Sequence, residues 1–215
     1  MKKNLANNQH KEFVKLLISG ERSRCSEYAH NYFKQTNSVK ALYEDVLKSS
    51  LYEIGKLWEY NKISVATEHL ASAIVEAILN EFYHNIATKG KTEKTVVVSC
   101  VEEEQHQIGI KMISDIFEMN GWNSYFLGAN TPTKEIIDYT KLIKPALLAI
   151  SLSIYFHLPV LEEMLQKVRE EFPGQPVLVG GQAFSRGGEE VLQKYENVFY
   201  KPDLISTESF IKKFN

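Results

Sequence analysis

From Thr95 onward, short apolar runs alternate with stretches of helical periodicity, and this alternation constrains the fold more than any other feature of the chain. Residues 95–100, 123–127, 146–151, 176–179 and 198–200 are brief runs of β-branched, aliphatic and aromatic residues. Amphipathic stretches such as 108–119 and 161–171 lie between them. Short apolar strands alternating with amphipathic helices predict a parallel sheet covered on both faces. Five strands suit the flavodoxin-like order 2-1-3-4-5. In that order strands one, three and four are neighbours. The loops after them, with Glu104-Gln-His106, Ser151-Leu-Ser153 and Gly180-Gly181, then converge on the carboxyl edge, where open α/β sheets bind ligands.

The preceding residues read as helices only. Phe13, Leu16 and Leu17 form a short stripe that Gly20 should stop. A second helix carries Tyr28, Tyr32 and Phe33. Ser38 is the expected N-cap of a longer helix with apolar residues from Val39 through Leu42, Tyr43, Val46, Leu47, Leu51, Ile54 and Leu57 to Trp58. Ser64 should cap the next, with Leu70, Ile74, Ile78 and Phe82. Four helices with short turns predict an antiparallel bundle. The polar, aperiodic stretch from Thr88 to Lys94 reads as the linker, giving a helical domain over 1–90 and an α/β domain over 91–215.

Bulk properties remove several function classes. A net charge of −2 over 215 residues leaves no basic footprint for nucleic acid. No apolar stretch approaches the ~20 residues that span a bilayer, and nothing apolar follows Met1-Lys-Lys-Asn to make a signal peptide. Cys25 and Cys100 have neither metal nor redox spacing, so a cytoplasmic chain with reduced thiols is expected. No Ser/His/Asp arrangement, phosphate loop or paired-carboxylate site is visible, so no catalytic residue is assigned and enzymatic activity is not expected.

Taken singly, the loop residues admit two uses each. His106 is either a metal ligand, with Glu104 accepting from its other ring nitrogen and fixing the tautomer, or an exposed histidine at a helix start. Gly109 either lets a bulky group approach the backbone or packs the helix. Gly180-Gly181 either makes room for a flat ring or simply turns the chain. Ser151 and Ser153 either meet a ligand heteroatom or cap the next segment. Glu102, Glu103 and Glu104 with His106 form a poor zinc geometry, and Cys100 is either reactive or a buried, inert strand thiol.

Read together, Glu104-x-His106-x-x-Gly109, Ser151-x-Ser153 and Gly180-Gly181 resemble the cobalamin-binding domain, whose pattern is Asp/Glu-x-His-x-x-Gly, Ser-x-Leu, Gly-Gly. Gly121-Trp122, Leu127-Gly128 and Thr131-Pro132 fit it too. The resemblance implies that His106 replaces the cofactor's own base as lower cobalt ligand. It also implies that the displaced nucleotide tail passes Ser151, Ser153, Gly180 and Gly181. Glu104 stands where many relatives have Asp, and Ser153 in place of the leucine makes the tail pocket more polar. In the helical half, Trp58, Val65, Glu68 and His69 resemble the cap of adenosylcobalamin-dependent photoreceptor regulators of the CarH kind, which covers the corrin's upper face. Without that resemblance, Trp58 reads equally as bundle core and Glu68-His69 as a solvated helix start.

The expectation is a stand-alone cobalamin-binding sensor or regulator. It would bind adenosylcobalamin ahead of methylcobalamin, base-off with His106 on, with a response to light as a further expectation. Regulators of the CarH kind carry an N-terminal DNA-binding domain, for which this chain leaves no room, so it would act through a protein partner or self-association. Two alternatives stay open: a corrinoid methyl carrier of a methyltransferase system, and a related domain binding haem or a bilin.

Overall fold

The computed structural model describes residues 2–86 and 90–214, with side chains from residue 10 onward. The chain forms two compact units, Met1–Ile86 and Ala87–Asn215. The first is helical: α1 (Lys2–Ile18), α2 (Arg22–Thr36), α3 (Val39–Ala41), a π-helical stretch (Leu42–Lys48), α4 (Ser49–Glu59), α5 (Val65–Glu81) and α6 (Tyr83–Ile86). Gly20, at φ +69°, ends α1 in a Schellman motif. Its N–H donates to the Leu17 carbonyl, and the N–H of Glu21 donates to that of Leu16. Ser38 and Ser64 cap as their side chains dictate, accepting from the N–H groups of Ala41 and Thr67 at 3.1 Å each. Phe13, Leu17, Leu42, Tyr43, Leu47, Ile78, Leu79 and Phe82 fill the core.

The uninterrupted helical stripe expected from Val39 to Trp58 does not hold. Val39, Leu42, Tyr43, Val46 and Leu47 are buried, but Leu51 and Leu57 are half-buried and Trp58 is 49% exposed. The π-helical stretch explains the difference. Its i→i+5 bonding widens the turn and shifts the phase of everything after it, so Ser50 and Ile54 continue the buried face while Leu51, Leu57 and Trp58 turn away from it.

The second unit alternates strands and helices: β1 (Thr95–Cys100), α7 (Ile108–Met119), β2 (Asn123–Gly128), α8 (Thr133–Ile143), β3 (Leu147–Ser151), α9 (Leu158–Glu171), β4 (Val177–Gly180), α10 (Glu189–Leu192), β5 (Val198–Tyr200) and α11 (Leu204–Lys213). A 3-10 turn, Tyr155–His157, precedes α9, and another, Gln182–Arg186, follows β4. All pairings are parallel and the order is β2-β1-β3-β4-β5, as the sequence pattern requires. Val97, Leu148, Ile150, Val177 and Val179 share one cluster with Ile136 and Ile137 of α8 and Leu161, Met164, Leu165 and Val168 of α9. Strand alternation sends Val96, Val98, Leu147, Ala149 and Leu178, also buried, to the opposite face.

Register positions the functional edge. Cys100 pairs with Ser151, and Ser151 with Gly180, so the three central strands end level. Part of the stretch read as a linker, residues 87–89, lies outside the described residues. The part from Gly90 to Lys94 packs on the second unit, where Thr92 donates to the Gly121 carbonyl at 2.7 Å.

Candidate functional site

The loop after β1 is held in place by its neighbours. Glu103 takes the left-handed conformation (φ +69°), and its N–H donates to Asn130 Oδ1. The Asn130 N–H returns a bond to the Glu104 carbonyl at 2.9 Å. Gln107 Oε1 accepts from the Ala129 N–H, and Glu102 Oε2 accepts from the Thr133 N–H at the start of α8. Pro132, at the N-cap of α8, has no side-chain cap to offer, so Glu102 supplies one. That bond holds the Glu102 carboxyl below its usual range. The acidic triplet therefore does not gather around a metal. Among the described residues no group of three His, Cys, Asp or Glu side chains is placed to hold an ion.

Glu104 is the centre of the site. Its side chain is fully buried, while that of His106 is 56% exposed. Oε1 accepts from the ring Nδ1 of His106 and from the His106 backbone N–H at 3.1 Å. Oε2 accepts from the N–H groups of Ser153 at 3.0 Å and Ile154 at 2.8 Å. Burial pushes the carboxyl up, but the His106 ring, the Ile154 and His106 N–H groups and the His106 charge outweigh it and hold it down at about 2. Glu104 is thus an anion that accepts from Nδ1–H. This selects the tautomer whose Nε2 carries the ring's lone pair, and raises its basicity as a ligand.

The other residues singled out in this half fall into two groups. Ser151 is buried, Ser153 is half-buried, and both lie with Gly180 and Gly181 at the same sheet edge as Glu104. The glycine pair is demanded first by the chain itself. A Cβ on Gly181, which sits at φ +119°, would lie 2.1 Å from the Leu152 carbonyl oxygen, and one on Gly180 would lie 2.7 Å from that of Lys201. Gly109 differs: it is exposed in the first turn of α7, and a Cβ there would meet nothing within 4 Å. Cys100 is buried, its Sγ 3.7 Å from the His106 carbonyl oxygen. Burial first and Glu104 second push its thiol up to about 12, so it is inert. Sequence reasoning missed Ile154 and His157. The first contributes only a backbone N–H, which no side-chain pattern reports.

In the helical unit, Trp58 ends α4 while Val65, Glu68 and His69 begin α5. Val65 and Trp58 are both exposed, so neither is bundle core. Glu68 is pinned: Oε1 accepts from Ser72 Oγ at 2.9 Å, and Oε2 lies 2.6 Å from His69 Nδ1. This repeats on a helix the carboxylate–imidazole pairing seen at Glu104.

An imidazole fixed in one tautomer by a buried carboxylate, at the carboxyl edge of a flavodoxin-like sheet, defines a small-cofactor-binding protein that offers a nitrogen donor. Gly109, with open space above it, fits a bulky planar group next to that donor. The chain belongs to the B12 binding domain family: one B12 binding domain model matches residues 94–201, and a second matches 9–82. It is a cobalamin-binding protein. It is 29% identical over 142 residues to the HTH-type transcriptional repressor CarH of Myxococcus xanthus, covering 66% of this chain and 47% of that protein. It is 22% identical over 152 residues to dimethylamine corrinoid protein 1 of Methanosarcina mazei, covering 69% and 70%. The chain thus spans about half the length of CarH. The structure of the monomethylamine corrinoid protein of Methanosarcina barkeri superposes with a TM-score of 0.83 at 11% identity, covering 96% of this chain and 98% of that one. Among the described residues no helix is long and apolar enough to cross a membrane.

Proposed function

We propose that this chain is a cobalamin-dependent sensor that binds adenosylcobalamin with His106 on the lower face and signals through a protein partner or by self-association. When bound, cobalamin would supply a cobalt able to accept an imidazole nitrogen. His106 offers Nε2 and Glu104 fixes the ring. Gly109 leaves the approach open, and Ser151 and Ser153 offer hydroxyls beside the Gly180-Gly181 turn to the polar tail. In this reading Trp58, Val65, Glu68 and His69 would cover the upper ligand, and light would be the signal.

The observation that carries the sensor reading is the exposure of both Trp58 and Val65 together with a pinned Glu68-His69 pair. An aromatic ring left half in water at a helix end is available to cover a ligand. The test compares adenosylcobalamin and methylcobalamin affinities in the parent and in Trp58→Ala. A preference for adenosylcobalamin that falls several-fold in the variant supports the cap. An unaltered ratio in a folded variant rejects it.

A second reading is supported by the 0.83 superposition and by the even coverage of the corrinoid protein relative. In it the chain is a methyl carrier, and methylcobalamin is preferred with no role for Trp58. The same affinity ratio separates the two. An absorption spectrum of the loaded protein separates both from haem or bilin binding.

A further inference from the structure

The two oxygens of Glu104 serve different elements. Oε1 holds His106 by ring and by backbone, and Oε2 holds the N–H groups of Ser153 and Ile154. Those two residues lead directly into the Tyr155–His157 turn. The ring Nδ1 of His157 lies 3.7 Å from the same Oε2, beyond hydrogen-bond reach. That nitrogen is buried and has no hydrogen-bond partner among the described residues. Phe156, next to it, is 87% exposed, the most exposed large apolar side chain described.

We propose that His106 and His157 compete for the Glu104 carboxylate, so that a change at His106 passes through Glu104 to the Tyr155–His157 turn and its exposed Phe156. The inference deepens the reading of His106 as lower ligand and rests on it only for what sets His106 in motion.

A buried polar atom without a partner carries a desolvation cost that a donor–acceptor pair relieves. While the His106 ring donates to Oε1, four donors share the carboxylate's charge and His157 is stranded. When that ring turns or lets go, a buried anion loses a donor, and an imidazole able to replace it stands 3.7 Å from its other oxygen. Closing that gap to a normal bond takes a movement of about 0.8 Å. The movement falls on a three-residue turn immediately before α9. Two discrete arrangements of one local contact, each favoured by a different state of the ligand residue, are what a coupling between a site and a surface requires. The surface affected is a bare phenyl ring, which a partner can read.

The test is 15N-histidine NMR on the ligand-free protein. The His157 ring resonances are expected to move in His106→Ala to those of a hydrogen-bonded ring, and to move much less when His106→Ala is made on a Glu104→Gln background. Phe156→Trp provides an independent reporter, whose fluorescence should change on His106→Ala and not on Glu104→Gln/His106→Ala. Circular dichroism establishes that each variant is folded. If His157 and the reporter ignore His106→Ala, or respond equally with Glu104→Gln present, the competition does not exist. A parallel titration with hydroxocobalamin keeps the two claims apart. Binding with a silent His157 overturns this inference alone, and a responsive His157 without binding overturns only the cofactor reading.

Discussion

Glu104 and His106 are joined twice: the ring Nδ1 and the backbone N–H of His106 both donate to Glu104 Oε1. The double attachment fixes ring and loop together, and the second oxygen ties them to the start of the Ser153 loop. A short carboxylate side chain thus connects the two loops that follow neighbouring strands β1 and β3.

That connection has a pH signature. The Glu104 carboxyl is held at about 2 in the folded chain, against an ordinary value of 4.5. A group depressed on folding contributes stability that is fully present above its unfolded pKa and is lost as pH falls through the folded one. The parent should therefore lose stability between about pH 4.5 and pH 2, and Glu104→Gln should flatten that part of the dependence. Chemical unfolding across this range is the check. Glu104→Ala should also weaken cobalamin affinity about 10–100-fold, as loss of an orienting partner does.

The glycines near the site should separate. Gly181→Ala forces a Cβ into the Leu152 carbonyl at a positive φ, and should destabilise the ligand-free protein by on the order of 3 kcal/mol. Gly109→Ala meets nothing, and removing a helical glycine should stabilise that form by up to about 1 kcal/mol. A bulkier Gly109→Trp should leave the fold intact and impair cobalamin binding. Thermal melts with and without cobalamin read all three.

Light offers a distinct test of the helical half. The residue that follows Trp58, the proposed cap, is Glu59, a carboxylate and not an imidazole. A carboxylate is a harder donor than imidazole and favours hydration at a surface. After illumination of bound adenosylcobalamin, the cobalt should keep a single imidazole, that of His106. Absorption spectroscopy and a crystal structure after illumination check this. A second imidazole from any residue of this chain, His69 included, contradicts it.

Much of this was legible in the sequence because it rests on local patterns. Strand order, the level ends of β1, β3 and β4, and the Ser38 and Ser64 caps follow from apolar runs, loop positions and capping side chains. What was not legible depends on geometry that side-chain identity does not encode. The π-helical stretch at Leu42–Lys48 leaves an unbroken apolar series in the sequence and yet turns Trp58 off the core. Gly180 and Gly181 read as room for a ligand, and the fold gives a second reason for them that the dipeptide does not show: a Cβ at either would meet the chain's own backbone at Lys201 or Leu152. Glu102 reads as one of three clustered acids, and its role as the cap of α8 emerges only when the β1 loop meets Thr133. His157 carries no motif at all. It matters because the fold brings it to Glu104.

The lower-ligand assignment of His106 is the claim on which the rest depends. The most direct measurement is the visible absorption spectrum of bound cobalamin, with the electron paramagnetic resonance of its one-electron-reduced form, in the parent and in His106→Ala. The parent should show one protein imidazole nitrogen coupled to cobalt. The variant should bind more weakly, show the base-off spectrum and lack that coupling. Identical spectra and affinities in the two proteins would contradict the account.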